Sequence, residues 1–431
     1  MTPGIPGSTL TIRNARVLTM RGGLRCGAAA MNDLGVVERA DVVVEGGVVR
    51  EIRPTPSNTP SLSLAEPRDI SPVGDERECD LDAAGRVLMP GFVDCHTHAL
   101  WAGDRLDEWE MKRRGVAYLD ILKAGGGIMS TVRAVRKASE AKLVASLRSR
   151  LGGMLREGTT TVEVKSGYGL STADELKMLR AIAEAARTWP GTIVMTALIG
   201  HAIDGDAGAF VMRTIEETLP AVHAEFPGIA IDAFCEKGAW SLEECIRLLE
   251  KAMSLGHPVR VHADQFNALG MTEWALANGV LSVDHLEATT PEALKALAAS
   301  GTFGVMLPCA GFHTDGRYGN GRAFVDGGGG LAVATNVNPG SAPCASVPMA
   351  VALSVRMLGL TPAEAINAVT ANAGALLARQ APEIGMRGVI EVGQRADLVL
   401  LRHTDERMLA YEFGGNPVDV VVCGGDVVVA G

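Results

Sequence analysis

Long hydrophobic runs are missing from this 431-residue sequence, and so is any block of positive charge. No apolar stretch reaches the ~18 residues that a membrane-spanning helix requires, so no span is expected. The net charge is −10 with no basic cluster, which argues against nucleic acid as a partner. Paired cysteines are absent too. Cys26, Cys79, Cys95, Cys235, Cys245, Cys309, Cys344 and Cys423 are scattered without a CxxC pair. That speaks against a zinc ribbon or a disulfide framework and fits a reducing compartment. The opening MTPGIPGSTL lacks the basic-then-apolar order of a signal peptide. A soluble, cytoplasmic chain without nucleic-acid or membrane partners is the expectation. Its 47% hydrophobic and 21% charged residues are enough for a large catalytic domain and a smaller accessory one.

Two styles of sequence alternate along the chain. Up to about Arg86, β-rich runs (TLTIRNARVLTM, ADVVVEGGVVREI, ECDLDAAG) are separated by turns and by PTPSNTPSLSLAEP, a Pro/Ser-rich segment that reads as a surface loop. The same style returns in GVIEVGQRADLVLLR and NPVDVVVCGGDVVVAG. One small sheet domain built from both termini explains this better than two unrelated extensions. The middle differs. VLMPGFVDCHTH, TTTVEVKSGYG, TIVMTALIGH, IAIDAFCEK, VRVHADQ, LSVDHLE, GTFGVMLP and LAVATNVNP are short apolar runs ending in polar residues. Amphipathic stretches such as SEAKLVASLRSRLGGMLREG, STADELKMLRAIAEAAR and SLEECIRLLEKAMSLG lie between most of them. About eight such units predict an α/β fold, a (β/α)8 TIM-like barrel. The expected boundaries are 1–86 and 386–431 for the terminal sheet domain and 87–385 for the barrel. The weakest unit is CAGFHTDGRYGNGRAFVDGGGG, where helix signal is poor and no GK[ST] follows the glycines.

Barrels of this kind carry their active sites at the C-terminal strand ends. His96 and His98 in DCHTH are two apart, so on a strand both imidazoles face one way, as a shared metal ion requires. His262 in VRVHADQ and His285 in LSVDHLE stand at other strand ends, and His201 closes IVMTALIGH. With only nine histidines in the chain, that concentration favours a metal site. His223, His257, His313 and His403 fall on predicted helices or loops and receive no role. A histidine-held metal with an open position lowers the pKa of bound water from 15.7 to about 7, so hydrolysis of an amide-like or amidine-like bond is expected. Arg105 could bind a substrate carboxylate through a forked pair of hydrogen bonds, or form a surface ion pair with Asp107 or Glu108.

In this order, PGFVDCHTHALWAGDR, KAGGGIMSTVRA, EVKSGYGL, FCEKGAW, HADQFNALG, DHLE and NPGS resemble the imidazolonepropionase family of the amidohydrolase superfamily. The likeness runs from about Val87 to near Ala378, and the flanking β segments resemble the superfamily's composite β-sandwich. It implies hydrolysis of 4-imidazolone-5-propanoate, an anionic small molecule, to N-formimidoyl-L-glutamate in histidine degradation, with one Zn2+ or Fe3+ per chain and a homodimer. Carried over position by position, His96, His98 and His262 would be metal ligands. Arg105 would meet the propanoate, and Tyr168 and His201 the imidazolone ring. Gln265, Asn338, Gly340 and Ser341 would complete the substrate pocket, with Gln265 close to the chemistry. His285 would polarise the attacked carbonyl or shuttle the proton. Glu236 is a further carboxylate near the rim, readable equally as a salt bridge to Lys237.

One position departs from the family. Its eighth strand ends in a pattern like ATDxNPG, whereas this chain has ATNVNPG, so Asn336 stands where a fourth ligand and proton acceptor is expected. An amide oxygen can still donate a lone pair to a metal, but it has no charge and cannot take a proton. A slower site with His285 as base, an introduced substitution that traps a bound molecule, and an inactive relative kept for binding are the three readings. The intact remainder of the pocket favours the first two. A deaminase of the same superfamily would want a glutamate at Gln265. A two-metal relative would want a lysine at the end of the fourth strand, where DAFCEK offers Glu236 first.

Overall fold

In the computed structural model, residues 9–55, 78–116, 120 and 125–430 are described, and most of PTPSNTPSLSLAEP lies outside them. Eight parallel strands follow one another in chain order around a nearly closed barrel. They are Phe92–Asp94, Thr159–Lys165, Thr192–Gly200, Ala230–Cys235, Val259–Ala263, Ser282–His285, Phe303–Met306 and Leu331–Val333. The seam between the last and first strands is joined just beyond their ends, where Asn336 N donates to His96 O (3.1 Å) and His98 N to Val337 O (3.0 Å).

Several strands alternate more strictly than their apolar look suggests. In VEVK, IDAF, VRVH and SVDH the aliphatic residues join the large apolar cluster. Glu163, Lys165, Asp232, Arg260, His262 and Asp284 instead meet one another inside the barrel. A period of two sends neighbouring side chains to opposite faces, so each strand serves the helix layer and the barrel interior together.

The three amphipathic stretches form helices Glu140–Arg156, Thr172–Ala186 and Leu242–Ser254. Ser139, Ser171 and Ser241 cap them by accepting a backbone N–H of the first turn. The weak unit before the eighth strand contains two short helices, Pro308–His313 and Gly321–Asp326.

A second eight-stranded sheet takes strands from both ends of the chain. Thr9–Leu18 pairs with Val36–Glu45, and Leu398–Leu401 with Val418–Cys423. Its own apolar cluster includes Ile12, Val17, Val42, Val44, Leu398, Leu400 and Val420.

One strand near residue 87 differs from expectation. VLMPGFVD is not one barrel strand. Val87–Pro90 pairs with Thr9–Leu18 and Leu398–Leu401 in the terminal sheet, and the barrel begins at Phe92. Pro90 has no N–H for a ladder, and Gly91 packs where a Cβ would lie 2.2 Å from Thr160 Oγ1, so the chain changes sheets there. Part of the N-terminal segment packs against the barrel. Met20, Met31 and Leu34 are buried in the large apolar cluster that the barrel shares with one face of the terminal sheet, and the Asn372 amide brackets Arg25 N and O.

Candidate active site

His98, Arg105, Tyr168, His201, His262, Gln265, His285, Asn336, Asn338, Gly340 and Ser341 all line one cavity of about 520 Å³ at the C-terminal ends of the barrel strands. His96 lies just behind its wall, fully buried. Ring centroids of His96, His98 and His262 are 4.5–5.4 Å apart. His262 Nε2 and His98 Nε2 are 3.3 Å apart. Two nitrogens bound at about 2.1 Å to one tetrahedral ion stand about 3.4 Å from each other, so this spacing suits a shared ion. His96 Nε2 and Asn336 Oδ1 are buried without a protein partner, as open ligand atoms would be. Donor atoms of His96, His262 and His285 all lie within 4.8 Å of one another, so His285 also stands within reach of the same point.

Carboxylates behind the imidazoles set their tautomers. His96 Nδ1 faces Asp284 Oδ2 at 2.6 Å and His262 Nδ1 faces Asp232 Oδ1 at 3.1 Å, which directs each Nε2 lone pair inward. Burial pushes the pKa values of His96 and His98 well below the usual imidazole range, and lowers that of His262 against the opposing pull of Asp232. Neutral imidazoles are the form that binds a metal.

The carboxylates are themselves held by cations that sequence reasoning did not single out. Lys165 Nζ donates to Glu163 (2.7 Å) and Asp232 (2.9 Å), and Arg260 Nη2 donates to Asp284 (2.6 Å). All five side chains are closed off from water. Burial opposes ionisation of Asp232, but His262 and Lys165 overrule it and hold the carboxyl well below its ordinary range. Charged letters alternating with aliphatic ones in VEVK, IDAF, VRVH and SVDH were the available signal.

Around this floor, Tyr168 and His201 form one wall, their ring centroids 5.2 Å apart. His201 Nδ1 is 2.9 Å from Gly167 O, and burial lowers its pKa to about 4. Burial moves the Tyr168 hydroxyl upward, so it stays protonated. Arg105 forms the ion pair with Glu108 that the sequence allowed, at 2.5 Å through Nε, but in the cavity wall rather than on the surface. A Cβ on Gly340 would lie 3.3 Å from Arg105 Nη1, so glycine keeps the guanidinium face open.

Asn338 Oδ1 accepts the N–H groups of Gly340 (2.8 Å) and Ser341 (2.7 Å), which folds the NPGS loop into the wall. Glu236 is not paired with the Lys237 ammonium. Its carboxylate accepts Lys237 N, Phe266 N, Asn267 N and Asn267 Nδ2, tying down the loop after Gln265. Backbone strain concentrates on the same rim. Asp264, His285, Leu286 and Asn336 have φ of +57°, +96°, +72° and +57°. Such conformations persist where the surrounding structure over-determines them, commonly at active sites.

Residues 87–306 match the amidohydrolase family. The imidazolonepropionase of Herpetosiphon aurantiacus is 48% identical over 81% of this chain and 83% of its own. That of Deinococcus radiodurans is 42% identical over 97% and 98%. Among solved structures, 5-methylcytosine deaminase from Klebsiella pneumoniae superposes with a TM-score of 0.70 at 14% identity, covering 97% of both chains. An adenosine deaminase from Xanthomonas campestris with bound zinc gives 0.66 at 17% identity, covering 98% and 93%. At such identities the two deaminases share the fold alone, whereas the near full-length sequence matches decide the family: this chain is a member of the imidazolonepropionase family of amidohydrolases.

Proposed function

We propose that this chain is a metal-dependent hydrolase that opens the cyclic amide of 4-imidazolone-5-propanoate to give N-formimidoyl-L-glutamate. The observation that carries the reading is the 3.3 Å approach of His98 and His262 Nε2 beside the unpartnered His96 Nε2, in a cavity with an arginine in its wall. His96, His98 and His262 would hold a zinc or iron ion, with Asn336 Oδ1 as a neutral fourth donor. Such an ion, when bound, acidifies water and polarises a carbonyl.

The chain's own groups do the rest. Arg105 binds the propanoate carboxylate through its outward N–H groups while Glu108 fixes its inner edge. Tyr168 and His201 contact the ring, and Gln265 with the Gly340–Ser341 turn completes the wall. One molecule of water adds to the ring carbonyl carbon and the carbonyl carbon–nitrogen bond breaks. His285, whose Nδ1 sits 3.2 Å from Glu287, carries the proton from water to the leaving nitrogen. Ultraviolet absorbance of imidazolonepropanoate, followed with and without added zinc or iron, tests the reading. Loss of absorbance on metal addition supports it, and substrate that survives every metal would rule it out.

A further inference from the structure

The loop 166–171 carries Tyr168 into the cavity, yet side chains hold it more than its own backbone does. Glu175 collects its N–H groups. Oε2 accepts Gly167 N at 2.9 Å, and Oε1 accepts Gly169 N at 2.7 Å and Leu170 N at 2.9 Å. Arg136, from the helix Ile128–Lys137, collects its carbonyls. Nε donates to Gly169 O at 2.8 Å and Nη2 to Leu170 O at 2.9 Å, while Asp204 steadies Nη1 at 2.9 Å. A third carbonyl, Gly167 O, is the partner of His201 Nδ1. Both backbone polar signs of one loop are therefore taken by side chains of opposite charge.

The loop needs such a grip because it turns through φ +115° at Gly167, which glycine tolerates, and is strained at Leu170, where φ is +50°. Glu175 is 2% exposed and starts no contact with the reacting groups, so its reach back across the first turn of its helix is its distinctive feature.

We propose that Glu175, assisted by Arg136, is a positioning residue for the ring-binding wall, setting the place of Tyr168. The inference rests on the reading that Tyr168 meets the imidazolone ring. Glutamine in place of Glu175 has the same shape, but its NH2 would face a backbone N–H at Gly167 or at Gly169 and Leu170. No orientation of the amide satisfies all three donors.

The experiment is a double-mutant cycle on the metal-loaded enzyme with imidazolonepropanoate: wild type, Glu175→Gln, Tyr168→Ala and the double variant. Glu175→Gln is expected to raise KM about tenfold with kcat changed less than about threefold, since the wall binds the ring before the chemistry. In the Tyr168→Ala background the same change should cost less than about twofold. An unchanged KM, or the full loss again without Tyr168, would overturn the proposal. Should Glu175→Gln fail to fold, Arg136→Lys keeps the charge without the two-pronged contact and must give the same KM shift. An inactive wild type would refute the functional reading instead. In that case amide hydrogen exchange decides: faster exchange at Gly167, Gly169 and Leu170 in the variant supports Glu175 as the holder of the loop, and unaltered exchange refutes it.

Discussion

His96 Nδ1 and Asp284 Oδ2 lie 2.6 Å apart, with both side chains shut off from water. Arg260 Nη2 donates to the same oxygen at 2.6 Å, and Ser282 Oγ to Oδ1 at 2.5 Å. The contact orients the ring and fixes the proton on Nδ1, so Nε2 remains a lone-pair donor. Asp284→Asn is expected to weaken metal binding by about 10–100-fold, the usual effect of losing such a partner. Competition against a coloured chelator measures it. Undiminished affinity would show that His96 is not a ligand.

Asn336 supplies the clearest chemical contrast. Its oxygen is buried and unpartnered on a residue that lines the same cavity as the imidazoles, with a backbone at φ +57°. Asn336→Asp adds a charge next to the proposed cation without changing the shape, and it adds a proton acceptor. Higher metal retention after dialysis and faster turnover are both expected. If neither rises, the side chain does not touch the ion.

Arg105 is anchored by Glu108 through Nε and looks onto Gly340, which has no side chain to obstruct it. Lysine would keep the positive charge but lose the fork and the inner anchor. Arg105→Lys should raise KM for the propanoate substrate about tenfold or more and leave kcat nearly unchanged. An equal fall in kcat at constant KM would instead place Arg105 in the reacting step.

Glu108 carries a pH signature. Burial works to raise its carboxyl, but hydrogen bonds from Arg105, Lys112 and Gly127 N overrule it and hold the pKa at about 2. The folded value lies below the ordinary 4.5, so the unfolded chain binds more protons between the two. Stability from this group is therefore complete above about pH 4.5 and lost as pH falls toward 2. The unfolding free-energy difference between wild type and Glu108→Gln should shrink across that window in urea titrations. A difference that stays constant with pH would show that the carboxylate charge contributes nothing.

Much of the site was readable in the chain because strand ends are local. DCHTH, VRVHADQ and LSVDHLE deliver their histidines wherever a parallel strand stops, and the barrel rule puts all those stops on one rim. The buried charges were not readable in the same way. Asp232, Lys165, Glu163, Arg260 and Asp284 are separated by up to 121 positions, and contacts such as Lys165 with Asp232 or Arg260 with Glu163 arise only when strands that are not adjacent face one another across the closed barrel. The break at Pro90–Gly91 was likewise hidden, because whether an apolar run continues one sheet or crosses to another depends on what pairs with it.

The order of residues alone determined the kinds of element, the imidazoles at the strand ends and the amide at position 336, since period and side-chain chemistry are properties of short segments. Only the folded barrel decided which nitrogens face one another, which carboxylate holds each ring and which loop Glu175 restrains. Those outcomes depend on distances between residues far apart in the chain, set by strand register and close packing.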